Sequence, residues 1–181
     1  MLLAESALTV ERSLTPAVSA LLHSRLAYAA ARTGDEAGWR RAQDRAETLL
    51  ARAVPANEPP WIYWFTEAEL EGVAGTALLE FGRPAEAERH LRRAVMLIDP
   101  GFVRDRAMWM ADLAAARVRT GAVEQACATA SEAAALMRRV ESPRDQRRLA
   151  RFRRSAEPYA RVDAVREFDA RYRDLCAPAA V

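Results

Sequence analysis

The sequence predicts an all-α fold built from antiparallel helical hairpins, and three observations support this prediction. Apolar residues recur at the spacing of helical faces, without the alternation that is typical of strands. Most of the seven glycines and nine prolines fall between these periodic segments. Alanine, the strongest helix former, supplies much of the 51% apolar content. A chain of 181 residues is long enough for a sizeable core, so we expect one domain over residues 1–181.

The N-terminal region is predicted to hold one unpaired helix, residues 2–12. Leu3, Ala7 and Val10 lie on one face of this helix. A terminal helix in a stack of hairpins needs its apolar face covered. We therefore expect this face to pack on upstream sequence or on a second copy of the chain, forming a homodimer with Leu3 and Val10 near the contact.

The next predicted elements are three hairpins, over residues 16–53, 61–98 and 103–140. Each hairpin is predicted to turn at a glycine, at Gly34, Gly82 and Gly121. Glycine readily adopts the left-handed conformation that ends a helix. Pro16 and Pro84 stand at helix starts, where the missing N–H of proline costs nothing. A last pair of helices is predicted over residues 143–175.

The central hairpin supplies the clearest repeat unit. Thr66 and Glu69 have the spacing of a capping box at the start of its first helix. Small residues coincide when the second and third hairpins are aligned on their glycines: Gly75 with Ala114, Ala87 with Ala126, and Ala94 with Ala133. Such residues allow helices to cross closely, so Gly75 and Ala94 are predicted crossing points.

These hairpins resemble tetratricopeptide (TPR) repeats, whose unit of about 34 residues is a helix–turn–helix. The run from Pro59 to Phe65, with residues 82–87 and 105–107, is similar to the C-terminal TPR region of actinobacterial helix-turn-helix transcriptional regulators. The resemblance covers residue 37 to the C-terminus. It implies a TPR-like superhelical solenoid that is the non-catalytic, ligand- or protein-binding part of a bacterial regulator. The DNA-binding part would lie upstream, and we expect no direct DNA reading by this segment.

Composition and charge narrow the function classes. A formal charge of +2 predicts neither a nucleic-acid coat nor an acidic tail. All 27 basic residues are arginine, which is typical of a high-GC genome. Cys127 and Cys176 are too few for a disulfide framework, and no signal peptide is evident. No apolar run approaches the ~18 residues of a membrane span, so we expect a cytoplasmic protein without a membrane partner.

A binding surface follows from the resemblance, because the first helices of TPR hairpins line a concave face. The residues predicted for that face are Tyr28, Arg32, Glu69, Thr76, Met108, Ala111 and Arg119. Their mixed charge and two large apolar groups favour a protein or peptide partner, or a small amphipathic ligand.

The aromatic cluster Trp61, Tyr63, Trp64 and Phe65 has two interpretations. It either walls a ligand cleft or grips a peptide, or it fills the step left by the long linker after residue 53. We favour packing, with one ring accessible. The cluster also supports an alternative function, that of an enzyme or biosynthetic accessory protein with a pocket near Trp61 and Trp64. A third possibility is a structural homodimerisation module.

A basic patch is predicted on one face of the helix that follows residue 142. Its residues are Arg144, Arg147, Arg148, Arg151 and Arg154. The patch would bind phosphates or an acidic partner, or it is a solvated face paired with acids of the last helix. Those acids are Asp163, Glu167 and Asp169. We favour the solvated face, because no base-reading motif accompanies the arginines.

No catalytic or metal site is predicted. His23 and His90 have no carboxylate or cysteine set at ligand spacing, and Glu86 with His90 is a weak pair. The phosphate-binding, dinucleotide-binding, nucleophile-elbow and zinc-protease motifs are missing from the sequence. We therefore expect no cofactor.

Overall fold

The computed structural model describes the backbone of residues 13–138 and 143–176 and the side chains of residues 13–138 and 147–173. These residues form eight α-helices and no strand, which confirms the all-α prediction. The helices are α1 (Pro16–Arg32), α2 (Glu36–Leu50), α3 (Glu67–Glu80), α4 (Pro84–Leu97), α5 (Val103–Arg119), α6 (Val123–Met137), α7 (Pro143–Ala156) and α8 (Asp163–Cys176). The helix predicted over residues 2–12, with Leu3 and Val10, lies outside the described residues.

Three helix pairs close through the same turn. At the end of α1, the Gly34 N–H donates to Ala31 O at 3.2 Å, and the Asp35 N–H donates to Ala30 O at 2.9 Å. The turns at Gly82 and Gly121 repeat both hydrogen bonds at the corresponding atoms. The three glycines have φ angles of 76°, 71° and 88°, which lie in the left-handed region that side chains disfavour. The sequence therefore encodes the same helix reversal three times.

The helices are arranged in adjacent pairs, and the odd-numbered helices α1, α3, α5 and α7 form a row, which we call the odd-numbered row. The odd-numbered helices contact one another in succession, α1 with α3, α3 with α5, and α5 with α7. The helices α2, α4 and α6 each pack against the odd-numbered helix before and the one after, and α8 packs on α6. Because α3 and α5 have neighbours on several sides, each buries ten residues. In the last pair, α7 and α8 meet through the rings of Phe152 and Phe168, whose centroids are 5.0 Å apart.

Small residues recur in register at the close approaches between helices. One set precedes the turn glycines in α1, α3 and α5, and consists of Ala27, Gly75 and Ala114. The other follows them in α2, α4 and α6, and consists of Ala46, Ala94 and Ala133. All six are buried. A β-carbon on Gly75 would lie 2.5 Å from Cγ of Leu91, so the α3–α4 contact requires glycine there.

A second glycine of α3 allows α3 to pack closely against α5 in the odd-numbered row. A β-carbon on Gly72 would lie 2.2 Å from the ring of Trp109, which is 2% exposed on α5. The rigid indole has no room to move aside within the core. Gly72 was not among the predicted crossing points, although it also aligns with an alanine of the third hairpin, Ala111.

Candidate functional site

The segment between α2 and α3 borders a cleft of about 740 Å³. Apolar side chains form much of its wall: Ala17, Leu50, Ala53, Ile62, Phe65 and Leu70. Ionisable side chains also line it: Glu47, Glu58, Glu67, Glu71 and His90. The cleft therefore combines an apolar wall with a largely acidic set of polar groups.

Prolines in the linker create the cleft by preventing a continuous helix. The chain makes two short 3-10 turns, Pro55–Asn57 and Pro60–Ile62, before α3 begins at Glu67. The second turn directs Ile62 and Phe65 into a cluster with Ala17, Ala46, Leu49 and Leu70. The Phe65 N–H donates to Ile62 O at 2.8 Å and holds this inward conformation. The linker is thereby anchored to both flanking hairpins.

The predicted aromatic cluster divides into buried and accessible rings. Phe65 is 4% exposed, and the half-buried Trp64 packs on it with ring centroids 5.8 Å apart. Trp61 and Tyr63 are 54% and 74% exposed. Two rings are therefore accessible where one was predicted. Tyr63 lines the cleft, and its ring centroid lies 6.1 Å from that of Phe102 in the loop after α4.

Glu58 joins the linker to the start of α1. Its Oε1 accepts a hydrogen bond from the Ala17 N–H at 3.1 Å, although 41 residues separate the two. A carboxylate is favoured at this position because the N-terminal end of a helix is partially positive. Thr15 is the N-cap residue of α1 but makes no side-chain capping bond. Among the described residues, Glu58 Oε2 is buried and has no hydrogen-bond partner.

The other carboxylates that line the cleft have partners close by. Glu71 Oε2 lies 2.7 Å from His90 Nδ1, and Glu71 Oε1 lies 2.9 Å from Arg93 Nε. Arg93 also contacts Glu67. Glu47 Oε1 accepts a hydrogen bond from Gln43 Nε2 at 2.8 Å. Glu58 differs from Glu67 and Glu71 because its bonded partner is a neutral backbone amide and not an arginine.

The residues predicted for a concave binding face do not form one open surface. Ala111 and Thr76 are buried, and Glu69 and Met108 are half-buried. The exposed members are Tyr28, Arg32 and Arg119, and Arg119 Nη1 donates to Leu79 O at 3.1 Å. The reason is that α1, α3 and α5 contact one another directly, which makes much of the predicted face part of the helix packing.

A buried polar network lies within the odd-numbered row. Asp112 is 1% exposed, and its Oδ2 contacts Arg148 Nη1 and lies 2.9 Å from Thr76 Oγ1. Thr76 Oγ1 also lies 2.9 Å from Gly72 O. Burial lowers the pKa of the Arg148 guanidinium. This network links α3, α5 and α7 through groups that satisfy one another.

The described arginines of the predicted basic patch lie in different environments. Arg148 reaches Asp112, and Arg151 Nη1 donates to Glu80 Oε1 on α3 at 2.8 Å. Arg147 and Arg154 are exposed, whereas the side chain of Arg144 lies outside the described residues. The patch is therefore not one solvated face, because α7 packs on α5 and turns part of its basic side inward.

The acids of the last helix pair with arginines outside the predicted patch. Asp169 Oδ1 accepts from Arg153 Nε at 2.7 Å, and Asp163 contacts Arg166. Glu167 Oε2 lies 3.8 Å from Arg171 Nη2. The predicted pairing of these acids with the patch is thus corrected, since the arginine of α7 that contacts Asp169 is Arg153 and not a residue of the patch.

Glu69 has a role different from the predicted capping box. Thr66 is the N-cap of α3 but makes no side-chain capping bond. Glu69 Oε1 instead lies 3.4 Å from Arg25 Nη2 on α1, and that guanidinium also stands over the Trp64 ring. Burial raises the pKa of the Glu69 carboxyl, and the nearby charge of Arg25 opposes that rise. Glu69 therefore contributes to the α1–α3 contact.

Cys127 is part of the core of the C-terminal half. It is 3% exposed in a cluster that also contains Ala130, Phe152 and Phe168. Burial raises the pKa of its thiol to about 11. Since the thiolate is the reactive form, Cys127 is an inert packing residue at neutral pH.

Neither the sequence nor the fold identifies a relative. No protein-family model, curated protein or solved structure matches this chain. In the part of the chain that the structure describes, no helix combines the length and apolarity needed to cross a bilayer. The described residues also contain no group of three or more His, Cys, Asp or Glu side chains arranged to hold a metal ion.

Proposed function

We propose that this protein is a non-catalytic binding module whose ligand occupies the cleft beside the α2–α3 linker. The cleft geometry is the observation that supports this function. Small-molecule sites commonly enclose ~300–1,000 Å³ and combine apolar walls with a few polar groups. The cleft, at about 740 Å³, meets both conditions. A small amphipathic ligand, or the side chains of a peptide, matches this combination.

The architecture that we propose for the module is a TPR-like solenoid. Support comes from the three identical glycine turns, the small residues in register, and the succession of contacts along the odd-numbered helices. In a solenoid each repeat contacts its neighbours along one axis, and this order of contacts has the same character.

Within that architecture, we propose a regulatory role. The resemblance of residues 59–65 and 82–87 to bacterial regulators favours a ligand-sensing part of a cytoplasmic transcriptional regulator, with DNA read by a separate part. The paired state of the cleft carboxylates Glu67 and Glu71 favours binding over catalysis, because salt bridges already engage them.

A neutral apolar dye tests the cleft as a binding site. N-phenyl-1-naphthylamine becomes fluorescent in apolar surroundings, and the parent protein should bind it saturably. Ala51→Trp should weaken binding about tenfold, because Ala51 lines the cleft and a bulky side chain there takes up its volume. Ala85→Trp is the matched control, since Ala85 is likewise an exposed alanine but does not line the cleft. Equal affinity in all three proteins would overturn the proposal.

The cleft also supports one alternative, an enzyme or biosynthetic accessory protein. The observation that favours it is the Glu71–His90 pair at 2.7 Å, since a carboxylate can orient an imidazole for acid–base chemistry. Mass spectrometry of a ligand recovered from the parent and from His90→Gln would separate the two functions. A binding module returns the ligand unchanged from both proteins, whereas an enzyme converts it only when His90 is present.

A further inference from the structure

We propose that the cleft selects a cationic amphipathic small molecule, with an apolar body that ends in a protonated amine received by Glu58. This inference rests on the proposed binding function and names the chemical class of its ligand. It goes beyond the shape of the cleft because it depends on how each carboxylate around the cleft is partnered.

The charges around the cleft favour a cation. The described residues that line it include four glutamates and one histidine, and no arginine. Arg93 contacts two of those glutamates, Glu67 and Glu71, whereas the hydrogen bond that Glu58 accepts comes from the neutral Ala17 N–H. A ligand carboxylate would therefore meet like charges, whereas an ammonium would meet complementary ones.

Glu58 is the group best placed to receive the amine. Its Oε1 is fixed by the Ala17 N–H at the start of α1, which holds the side chain in one position. Its Oε2 is buried and lacks a donor among the described residues. A buried acceptor without a donor is costly to the protein, and an ammonium offers three N–H donors. The resulting charge-assisted hydrogen bond is stronger than one from a neutral donor.

The apolar body of the ligand would pack against apolar side chains of the cleft. Ile62, Phe65 and Leu70 line the same cleft as Glu58. Transfer of apolar ligand surface from water onto these side chains is favourable, whatever the charge of the head group. The wall therefore supplies affinity, and Glu58 supplies the preference for a cation.

Three probes with one body and different heads test this assignment. The probes are 4-phenylbutylamine, 4-phenylbutan-1-ol and 4-phenylbutyrate, titrated calorimetrically at neutral pH and about 50 mM salt so that screening stays modest. The amine should bind about tenfold more tightly than the alcohol, and the carboxylate should bind most weakly. Glu58→Gln should reduce the affinity for the amine to that for the alcohol. It should leave the alcohol unaffected, because the glutamine oxygen still accepts from the Ala17 N–H.

The control variant is Glu132→Gln, which removes an exposed carboxylate of α6 that does not line the cleft. It should retain the full preference for the amine. Equal binding of all three probes, abolished by Ala51→Trp, would overturn the cation preference and leave the cleft as a ligand site. Absence of binding by every probe to the parent protein would overturn both the preference and the cleft as the site.

Discussion

The odd-numbered row and the linker cleft both place charged groups beside apolar side chains, but they partner those groups differently. Within the row, Asp112 is met by Arg148 and Thr76, so each polar group is satisfied by the protein itself. In the cleft, Glu58 has one oxygen bonded and the other buried without a partner among the described residues. The first arrangement holds helices together. The second is the arrangement that we propose for ligand binding.

The largest expected effect comes from breaking the network in the row. Arg148→Met should lower the free energy of unfolding by about 3–5 kcal/mol, because Asp112 would remain buried without its cation. Urea denaturation measures the change. Arg147→Met, at an exposed position of the same helix, should change the free energy by at most ~0.5 kcal/mol. Similarly small effects for both variants would support the predicted solvated face. They would contradict the difference that we draw between this buried network and the cleft.

A smaller effect is expected from the close helix contacts that position the cleft. Gly75→Leu and Ala94→Leu should each lower the free energy of unfolding by about 1–3 kcal/mol through overpacking. Gly75 lies against Leu91, and Ala94 is 0% exposed. Thermal and urea melts of both variants measure this. Ala85→Leu, at an exposed position of the same helix as Ala94, is the control and should melt like the parent. Unchanged melting for both core variants would contradict the repeat register.

A third effect concerns the pH dependence of the α1–α3 contact. Since burial raises the pKa of Glu69, the folded protein binds this proton more tightly than the unfolded chain does. The parent should therefore lose stability relative to Glu69→Gln as the pH rises above the ordinary carboxyl pKa of ~4.3. Urea melts between pH 4 and pH 7 measure the difference. Parallel stability curves for the two proteins, or divergence in the opposite direction, would contradict the burial of this charge.

The sequence was sufficient to predict the all-α fold and its helix pairs, because the signals for helices and turns are local. Helical periodicity predicted the elements, and Gly34, Gly82 and Gly121 predicted their turns. The polar contacts were harder to predict from the sequence, because they join distant parts of the chain. Asp112 and Arg148 are 36 residues apart, and Ala17 and Glu58 are 41 apart. No spacing rule links such residues. The arginine spacing therefore indicated a solvated patch, and Glu58 was not predicted as a site residue.

The position of a bound probe tests most directly the claim that the cleft, and not the predicted concave face, binds the ligand. Amide chemical shifts of the 15N-labelled protein can be recorded during titration with 4-phenylbutylamine. We expect saturable shifts at Leu50, Ala53 and Leu70, which line the cleft, and none at Thr76 or Ala111 in the odd-numbered row. Shifts concentrated at Thr76 and Ala111, with the cleft residues unmoved, would contradict the claim.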